Sequence, residues 1–241
     1  MFNAGIFDGH GGDQVSKELQ RTLLQTISAR ICQLGDLPTA ALVQEVIHTS
    51  YLDVNRELSR RMGGEAGSCA VTATLVATAG GQLQLFVANA GDCRAVLFTG
   101  PPGQRRAVRL SEDHKPHPQV CPAEIRRVSA MGGTVLWGRV QGCLAVSRAF
   151  GDKSLQPYVT AEPHISVRVV DREQDAFLYM ASDGVTDVVQ DAAGCSVVAE
   201  SLARGVGVQQ AAAALVNRAF AAGSGDNISA TVMRFQAARG T

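Results

Sequence analysis

The chain has 241 residues, of which 46% are apolar and 18% are charged, and its formal net charge is zero. This composition is typical of a packed globular protein and excludes a chain that is disordered throughout. Because 22 basic residues balance 22 acidic ones, we expect no binding to nucleic acid and no binding to anionic membranes.

The first quarter of the chain predicts one strand followed by two amphipathic helices. Residues 2–7 are apolar and lead into a glycine-rich stretch, residues 8–12, which is predicted to be a turn. Apolar residues then recur at four-residue steps from Val15 to Ile31, which predicts the first helix. A second helix is predicted around Leu42, Val46, Val54 and Leu58.

The middle of the chain predicts a β-meander. Three short β-rich runs, residues 70–77, 83–88 and 94–98, are separated by glycine-rich turns. A loop is predicted over 112–122, a short helix over 124–130, and further strands over 142–147, 165–170 and 176–181. Helices over 192–203 and 208–222 and a last strand over 228–235 complete the pattern.

This order of elements favours an α+β fold in which helices cover packed sheets. No internal repeat or low-complexity linker divides the sequence, so we expect one domain spanning residues 1–241. No apolar run approaches the roughly eighteen residues of a membrane-spanning helix, so no such span is predicted.

Three aspartates share a local pattern that suits a metal site. Asp8, Asp183 and Asp226 each lie at the end of an apolar strand-like run or just before one, and each has a glycine beside it. Carboxylates are hard oxygen ligands that suit Mg²⁺ or Mn²⁺. The alternative is that each aspartate only forms a turn, because Asp-Gly is a common turn pair.

Six segments together resemble the protein phosphatase 2C family of metal-dependent serine/threonine phosphatases, and they occur in the family's order. They are residues 8–12 (DGHGG), 89–95 (NAGDCRA), 113–116 (DHKP), 144–152 (LAVSRAFGD), 182–187 (SDGVTD) and 223–228 (GSGDNI). The resemblance implies a four-layer α-β-β-α sandwich of two mainly antiparallel sheets. It also implies hydrolysis of phosphoserine and phosphothreonine in protein substrates by a metal-activated water.

The resemblance further implies a site for two Mg²⁺ or Mn²⁺ ions and a weaker third ion. In that arrangement Asp8 bridges two ions and Gly9 offers its backbone carbonyl to one of them. Asp183 and Asp226 hold the other. The weaker third site would use Asp92 together with Asp187.

Two histidines lie in the resembling segments. The resemblance implies that His10 is the general acid that protonates the departing serine or threonine oxygen, so His10 and Asp8 are the predicted catalytic residues. A poor alkoxide leaving group benefits from such a donor. Taken alone, His10 would be a structural residue of a glycine-rich turn. His114 is predicted to order the turn at residues 113–116.

The family normally carries two further strands, a phosphate-gripping arginine and an acidic pair before the DGHGG segment. No candidate for them precedes Asp8, so we expect an N-terminally shortened domain that lacks those strands. Two functions stay open on this basis. One is a phosphatase, and the alternative is a catalytically impaired pseudophosphatase that binds phosphoproteins or regulates a partner.

The cysteines and several other residues bear on location and structure. Six cysteines without C-x-x-C pairs favour a reduced compartment, so we expect location in the cytoplasm and/or nucleus. A monomer is also expected. Arg94 and Arg148 are predicted to pair with buried carboxylates. The cluster formed by residues 105, 106 and 109 is predicted to be a solvated loop. Trp137 is either a surface lid or a core plug.

Overall fold

The computed structural model of the protein describes residues 1–62 and 64–235. In chain order its strands are β1 (Phe2–His10), β2 (Gly67–Thr78), β3 (Gln82–Ala90), β4 (Arg94–Thr99), β5 (Arg106–Arg109), β6 (Val135–Leu136), β7 (Arg139–Val140), β8 (Phe150–Gly151), β9 (His164–Val169), β10 (Phe177–Ala181) and β11 (Ala230–Arg234). Its α-helices are α1 (Gln14–Cys32), α2 (Ala40–Arg61), α3 (Pro122–Ala130), α4 (Asp183–Thr186), α5 (Asp191–Ala203) and α6 (Val208–Ala221). None of the described helices combines the length and the apolar character needed to cross a membrane.

Two antiparallel sheets lie at the centre of the fold. The first sheet has the strand order β1-β2-β3-β9, with β8 also paired to β2. The second has the order β11-β10-β4-β5, and β6 and β7 form a separate hairpin. The short connection from β3 to β4 therefore passes from one sheet to the other.

Each face of each sheet is covered. Val71 and Leu85 of the first sheet pack with Leu97 and Leu178 of the second in the core between them. The outer face of the first sheet packs against α1 and α2, and the outer face of the second against α5 and α6. The four layers α-β-β-α confirm the predicted fold class.

The helical periodicity of the first quarter is largely confirmed. The buried face of α1 is the predicted one, from Val15 to Ile31. In α2 the buried face is turned from the prediction, because Val43 and Ile47 face the core while Leu42 is exposed. The Thr39 side chain caps α2 by accepting a hydrogen bond from the Leu42 N–H.

Three local predictions were wrong. Residues 8–10 continue β1 instead of turning, because Asp8, Gly9 and His10 pair with Cys69, Ser68 and Gly67 of β2. Residues 142–147 form a series of turns and no strand, because their apolar side chains pack around a cavity and do not face one side of a sheet. Two of the three clustered arginines, Arg106 and Arg109, lie in the edge strand β5 and not in a loop, while Arg105 precedes the strand.

Candidate active site

A cavity of about 260 Å³ collects most of the predicted site residues at one end of the two sheets. Its lining consists of Asp8, Gly9, His10, Cys69, Asp92, Arg139, Leu144, Ala145, Val146, Asp183 and Asp226. Six of the seven predicted site residues are therefore brought together. The seventh, Asp187, is exposed and does not line the cavity.

Four different chain segments supply the carboxylates. Asp8 lies near the end of β1, and Asp92 lies in the turn that joins β3 to β4. Asp183 is the first residue of α4, directly after β10, and Asp226 lies in the loop between α6 and β11. The first sheet and the second sheet thus both contribute to one cluster, which no single segment could form.

Ser182 fixes Asp226 beside Asp183. The Ser182 hydroxyl donates to the backbone oxygen of Asn227 and accepts from the Ser229 N–H, both at 3.1 Å. The two segments approach so closely that a Cβ atom at position 184 would overlap the Asn227 oxygen, which explains the glycine there.

The electrostatics of the cluster fit a cation. Burial raises the pKa of Asp8 and of Asp183, and the nearby negative charge of Asp92 raises both further. Like charges held in a partly buried cavity destabilise one another, and a hard divalent cation relieves that repulsion. Within the described residues no three His, Cys, Asp or Glu side chains converge on one point, so the fit lies in the donor chemistry and the shared cavity.

Lys115 connects Asp92 with Asp187. Its Nζ atom lies 3.2 Å from Asp92 Oδ2 and 3.1 Å from Asp187 Oδ1. The two carboxylates predicted for the weaker third ion are therefore adjacent, with an ammonium group between them. Burial lowers the pKa of Lys115, but these two carboxylates outweigh burial and raise it overall, so the ammonium stays charged.

His10 is paired with a buried carboxylate. Its Nε2 atom lies 2.9 Å from both Oδ1 and Oδ2 of Asp152, whose side chain is only 2% exposed. Burial lowers the pKa of His10, but the hydrogen bond and charge of Asp152 outweigh burial and raise it above the usual value. A Cβ atom at Gly67 would overlap both His10 Nε2 and the Asp152 carboxylate, so this pair requires glycine in the neighbouring strand.

Buried polar residues support the loops around the cavity. His114 is fully buried, and its Nδ1 atom lies 3.0 Å from the Gly91 oxygen, next to Asp92. Burial, with the charge of Arg148, lowers the pKa of His114 to about 4. His114 therefore has a structural role, but it orders the turn between β3 and β4 at Gly91 and not the predicted turn at residues 113–116. The ion pairs Arg94–Asp113 and Arg148–Glu124 confirm that both arginines pair with buried carboxylates.

A larger cavity of about 420 Å³ lies between α1, α2 and β8. Its charged lining residues are Glu65 and Lys153 alone, of opposite sign. A site for divalent cations needs a cluster of oxygen ligands, so the carboxylates and not the size of the cavity identify the candidate site.

Three functional candidates were not singled out from the sequence. Asp152 stands in a recognised segment, the end of LAVSRAFGD, but only the fold shows that it faces His10. Lys115 likewise stands in the DHKP segment. Arg139 lies in the glycine-rich stretch between Gly133 and Gly142, and nothing in its spacing indicates that it lines the cavity.

Comparison with known proteins identifies the family. The sequence profile described as "Protein phosphatase 2C" matches residues 3–228. The chain is 38% identical over 237 residues to "Probable protein phosphatase 2C 59" of Oryza sativa subsp. japonica, covering 96% of this chain and 65% of the relative. It is 37% identical to "Probable protein phosphatase 2C 69" of Arabidopsis thaliana, covering 96% of this chain and 60% of that protein. The chain thus spans less than two thirds of these relatives.

Solved structures share the fold. "Crystal structure of serine-threonine phosphatase 2C from Toxoplasma gondii" superposes with a TM-score of 0.83 at 24% identity, covering 97% of this chain and 84% of the other. "Structure of a C.elegans sex determining protein" gives 0.82 at 24% identity, covering 97% of this chain and 56% of that chain. With a family profile that matches 226 of the chain's 241 residues, the chain belongs to the protein phosphatase 2C family.

Proposed function

We propose that this chain is a metal-dependent serine/threonine protein phosphatase that uses Mg²⁺ or Mn²⁺. The observation that carries the proposal is the meeting of Asp8, Asp92, Asp183 and Asp226 with His10 around one cavity. Hydrolysis of a phosphate monoester is very slow without a catalyst, so charge neutralisation and proton transfer must both be supplied. The cavity offers groups suited to each.

The metal ligands would be Asp8, the Gly9 carbonyl, Asp183 and Asp226, and Asp92 with Asp187 would hold a weaker third ion. When bound, the ions supply a water of lowered pKa and neutralise charge on the phosphoryl oxygens. Asp8, Asp92, Asp183 and Asp226 all lie close to the ends of strands, and these strands belong to both sheets, so the sheets position the four carboxylates around the cavity.

His10 would donate a proton to the leaving serine or threonine oxygen. Its raised pKa favours the protonated imidazolium near neutral pH, which is the form a general acid needs. Asp152 accepts from His10 Nε2 in this structure and so orients the ring; the proton moves to the leaving oxygen when substrate replaces that contact or when the ring turns toward it.

The test is release of phosphate from a phosphothreonine peptide by the purified chain, measured with Mn²⁺ and with EDTA. We expect turnover with Mn²⁺, none with EDTA, and at least a hundred-fold lower kcat for Asp183→Asn, because a metal ligand is lost. Asp53→Asn is the matched control, since Asp53 is a partly exposed carboxylate on α2 that does not line the cavity.

Absence of turnover from a folded, monodisperse sample would refute the enzyme and favour the phosphoprotein-binding alternative. Turnover that survives Asp183→Asn would indicate a contaminating phosphatase. We also propose that the chain acts as a single-domain monomer. We further propose that it is located in the cytoplasm and/or nucleus, which the six free cysteines support.

A further inference from the structure

The β6–β7 hairpin, residues 135–140, lies beside the candidate active site, and its base is fixed by packing and hydrogen bonds. Val135 packs against the core between the sheets and Val140 is fully buried. The Thr134 hydroxyl donates to Gln141 Oε1 at 2.7 Å, and the Gln141 N–H donates to the Thr134 oxygen at 2.8 Å, which closes the hairpin at its base. Its position relative to the cavity is therefore set by the core.

The tip of this hairpin presents an exposed tryptophan. Trp137 and Gly138 occupy the two turn positions with φ angles of 51° and 74°, as a tight two-residue hairpin turn requires. Positive φ is uncommon and unfavourable for a bulky residue such as tryptophan. The Trp137 side chain is 93% exposed, and Leu136 beside it is 48% exposed. Trp137 is thus not a core plug, and the turn holds its ring out in solvent.

The same hairpin places a cation in the cavity. Arg139 is the cross-strand partner of Leu136 and is the one arginine or lysine in the cavity lining described above. Its Nη1 donates to the Cys143 oxygen at 2.8 Å. Although it shares the cavity with four carboxylates, none of the ion pairs among the described residues includes it. Guanidinium N–H groups are left to bind an anion.

We propose that the β6–β7 hairpin recognises the phosphorylated segment of the substrate, with Arg139 binding a phosphoryl oxygen and Trp137 packing on the residue next to the phosphorylated one. The occupant is an extended phosphopeptide with an apolar neighbour to the phosphoresidue. The inference rests on the proposed function, because it takes the carboxylate cavity as the place where the phosphoryl group reacts.

The charge of Arg139 and the closeness of Trp137 to it along the hairpin both support a phosphopeptide as the occupant. Arginine binds phosphate through charge-assisted, often bidentate hydrogen bonds. Tryptophan is enriched among residues that dominate binding, because it buries a large rigid surface at little entropic cost. The β6–β7 hairpin has a two-residue turn, and Trp137 in that turn lies only two positions before Arg139 in the sequence. One short peptide can therefore contact both side chains. The partly exposed Leu136 extends the same apolar surface.

The experiment uses the full chain with Mn²⁺ and a ten-residue peptide that carries a non-hydrolysable phosphonate analogue of phosphothreonine. Trp137 is the only tryptophan in the sequence, so intrinsic fluorescence reports on the hairpin directly. We expect the emission to shift to shorter wavelength on binding, and not with the threonine version of the peptide. Dissociation constants are measured in parallel by anisotropy of a dye-labelled peptide.

The variants test each contact. We expect Arg139→Ala to raise Kd about ten-fold or more. Arg105→Ala is its control, since Arg105 is a partly exposed arginine that does not line the cavity and donates only to backbone oxygens. Wild type should prefer leucine over glycine beside the phosphonate about five-fold or more, and Trp137→Ala should lose that preference. Phe220→Ala, which removes another exposed aromatic side chain, should keep it.

Each outcome decides the inference separately from the proposed function. Phosphopeptide turnover in the earlier assay, with Kd unaffected by Arg139→Ala and the leucine preference unaffected by Trp137→Ala, would overturn the hairpin's role and leave the phosphatase intact. Binding through the hairpin without turnover would support the inference and refute the enzyme. Failure of the wild type to bind the phosphonate peptide would overturn it. Arg139→Lys and Trp137→Phe serve as milder variants should a truncation unfold the hairpin.

Discussion

The pairing of His10 with Asp152 illustrates how a single contact can set the chemistry of a site. The Asp152 backbone adopts a left-handed conformation, with φ of 44°, at the end of the LAVSRAFGD segment. Such a conformation is unfavourable for a residue other than glycine unless surrounding contacts hold it. The Asp152 N–H donates to the Ala66 oxygen at 3.1 Å, which ties this turn to the start of β2. This backbone conformation places the Asp152 carboxylate within hydrogen-bonding distance of His10.

We predict that Asp152→Asn lowers kcat strongly for substrates with a basic leaving group and only weakly for substrates with a good leaving group. When the phosphate ester of threonine is cleaved, the threonine oxygen would leave as a strongly basic alkoxide, so it needs a positioned proton donor. The p-nitrophenolate ion leaves readily without one. With a phosphothreonine peptide we expect kcat to fall about ten- to hundred-fold, and with p-nitrophenyl phosphate by less than about three-fold. Steady-state kinetics on both substrates measure the ratio.

A loss of equal size on both substrates would contradict this role, because it would indicate damage to the metal site or to the fold. Asp13→Asn is the matched control. Asp13 is an exposed aspartate in an ion pair with Lys17, and it lies only five residues from Asp8 without lining the cavity. We expect it to leave both rates unchanged.

At the scale of elements, α3 anchors the long loops around the cavity through one buried carboxylate. Glu124 lies in the first turn of α3 and its side chain is 3% exposed. It pairs with Arg148 at 2.8 Å and Arg127 at 3.0 Å, and it accepts from the Ser147 hydroxyl at 2.7 Å. Residues 147 and 148 belong to the segment that carries Asp152, so α3 holds that segment in place.

We predict that Glu124→Gln destabilises the fold in a pH-dependent manner. At pH 7 we expect a loss of about 2–3 kcal/mol in the free energy of unfolding, because two partly buried guanidinium groups lose their buried carboxylate partner. Burial raises the pKa of Glu124, but Arg148 and Ser147 outweigh burial and lower it to about 2 from 4.5. The stabilisation is therefore complete above pH 4.5 and lost as pH falls toward 2.

Urea unfolding at pH 7 and pH 3.5 tests this sign. On acidification the wild type should lose about 1.4 kcal/mol that the variant does not, so the two should converge. Glu200→Gln, on the exposed face of α5, should match the wild type at both pH values. A difference between wild type and Glu124→Gln that widens on acidification would show that the carboxylate is not the stabilised form.

Periodicity predicted the elements whose environment is uniform and missed those that depend on distant contacts. The regular apolar face of α1 is buried along its whole length, so spacing alone predicted it. Residues 142–147 look like a strand, yet Val140 and Leu144 pair with each other across a turn. Six of the predicted site residues do line one cavity, and they could be predicted because their segments resemble those of a known family. Spacing could not identify Asp152 or Arg139, because His10 is remote in sequence from Asp152 and the carboxylates that share the cavity with Arg139 are remote from it.

At the scale of the whole molecule, the candidate metal site joins the two sheets. Asp8 belongs to the first sheet and Asp183 follows a strand of the second, while Asp92 lies in the connection between them. The apolar core already holds the sheets together, so the carboxylates add repulsion at this end rather than cohesion. A site of this kind lowers stability in return for binding ability.

We therefore predict opposite effects of Asp183→Asn on thermal stability with and without metal. Without divalent ions the variant should melt above the wild type, because one charge leaves a partly buried cluster in which burial and Asp92 raise the pKa of Asp183. Mn²⁺ at about one hundred times its Kd should stabilise the wild type by about 2.7 kcal/mol, or roughly 5–10 °C in Tm. The variant should show little of this increase, while Asp53→Asn should keep it. Equal Mn²⁺-dependent shifts in all three proteins, measured by differential scanning calorimetry, would place the bound ion outside the cavity between the sheets.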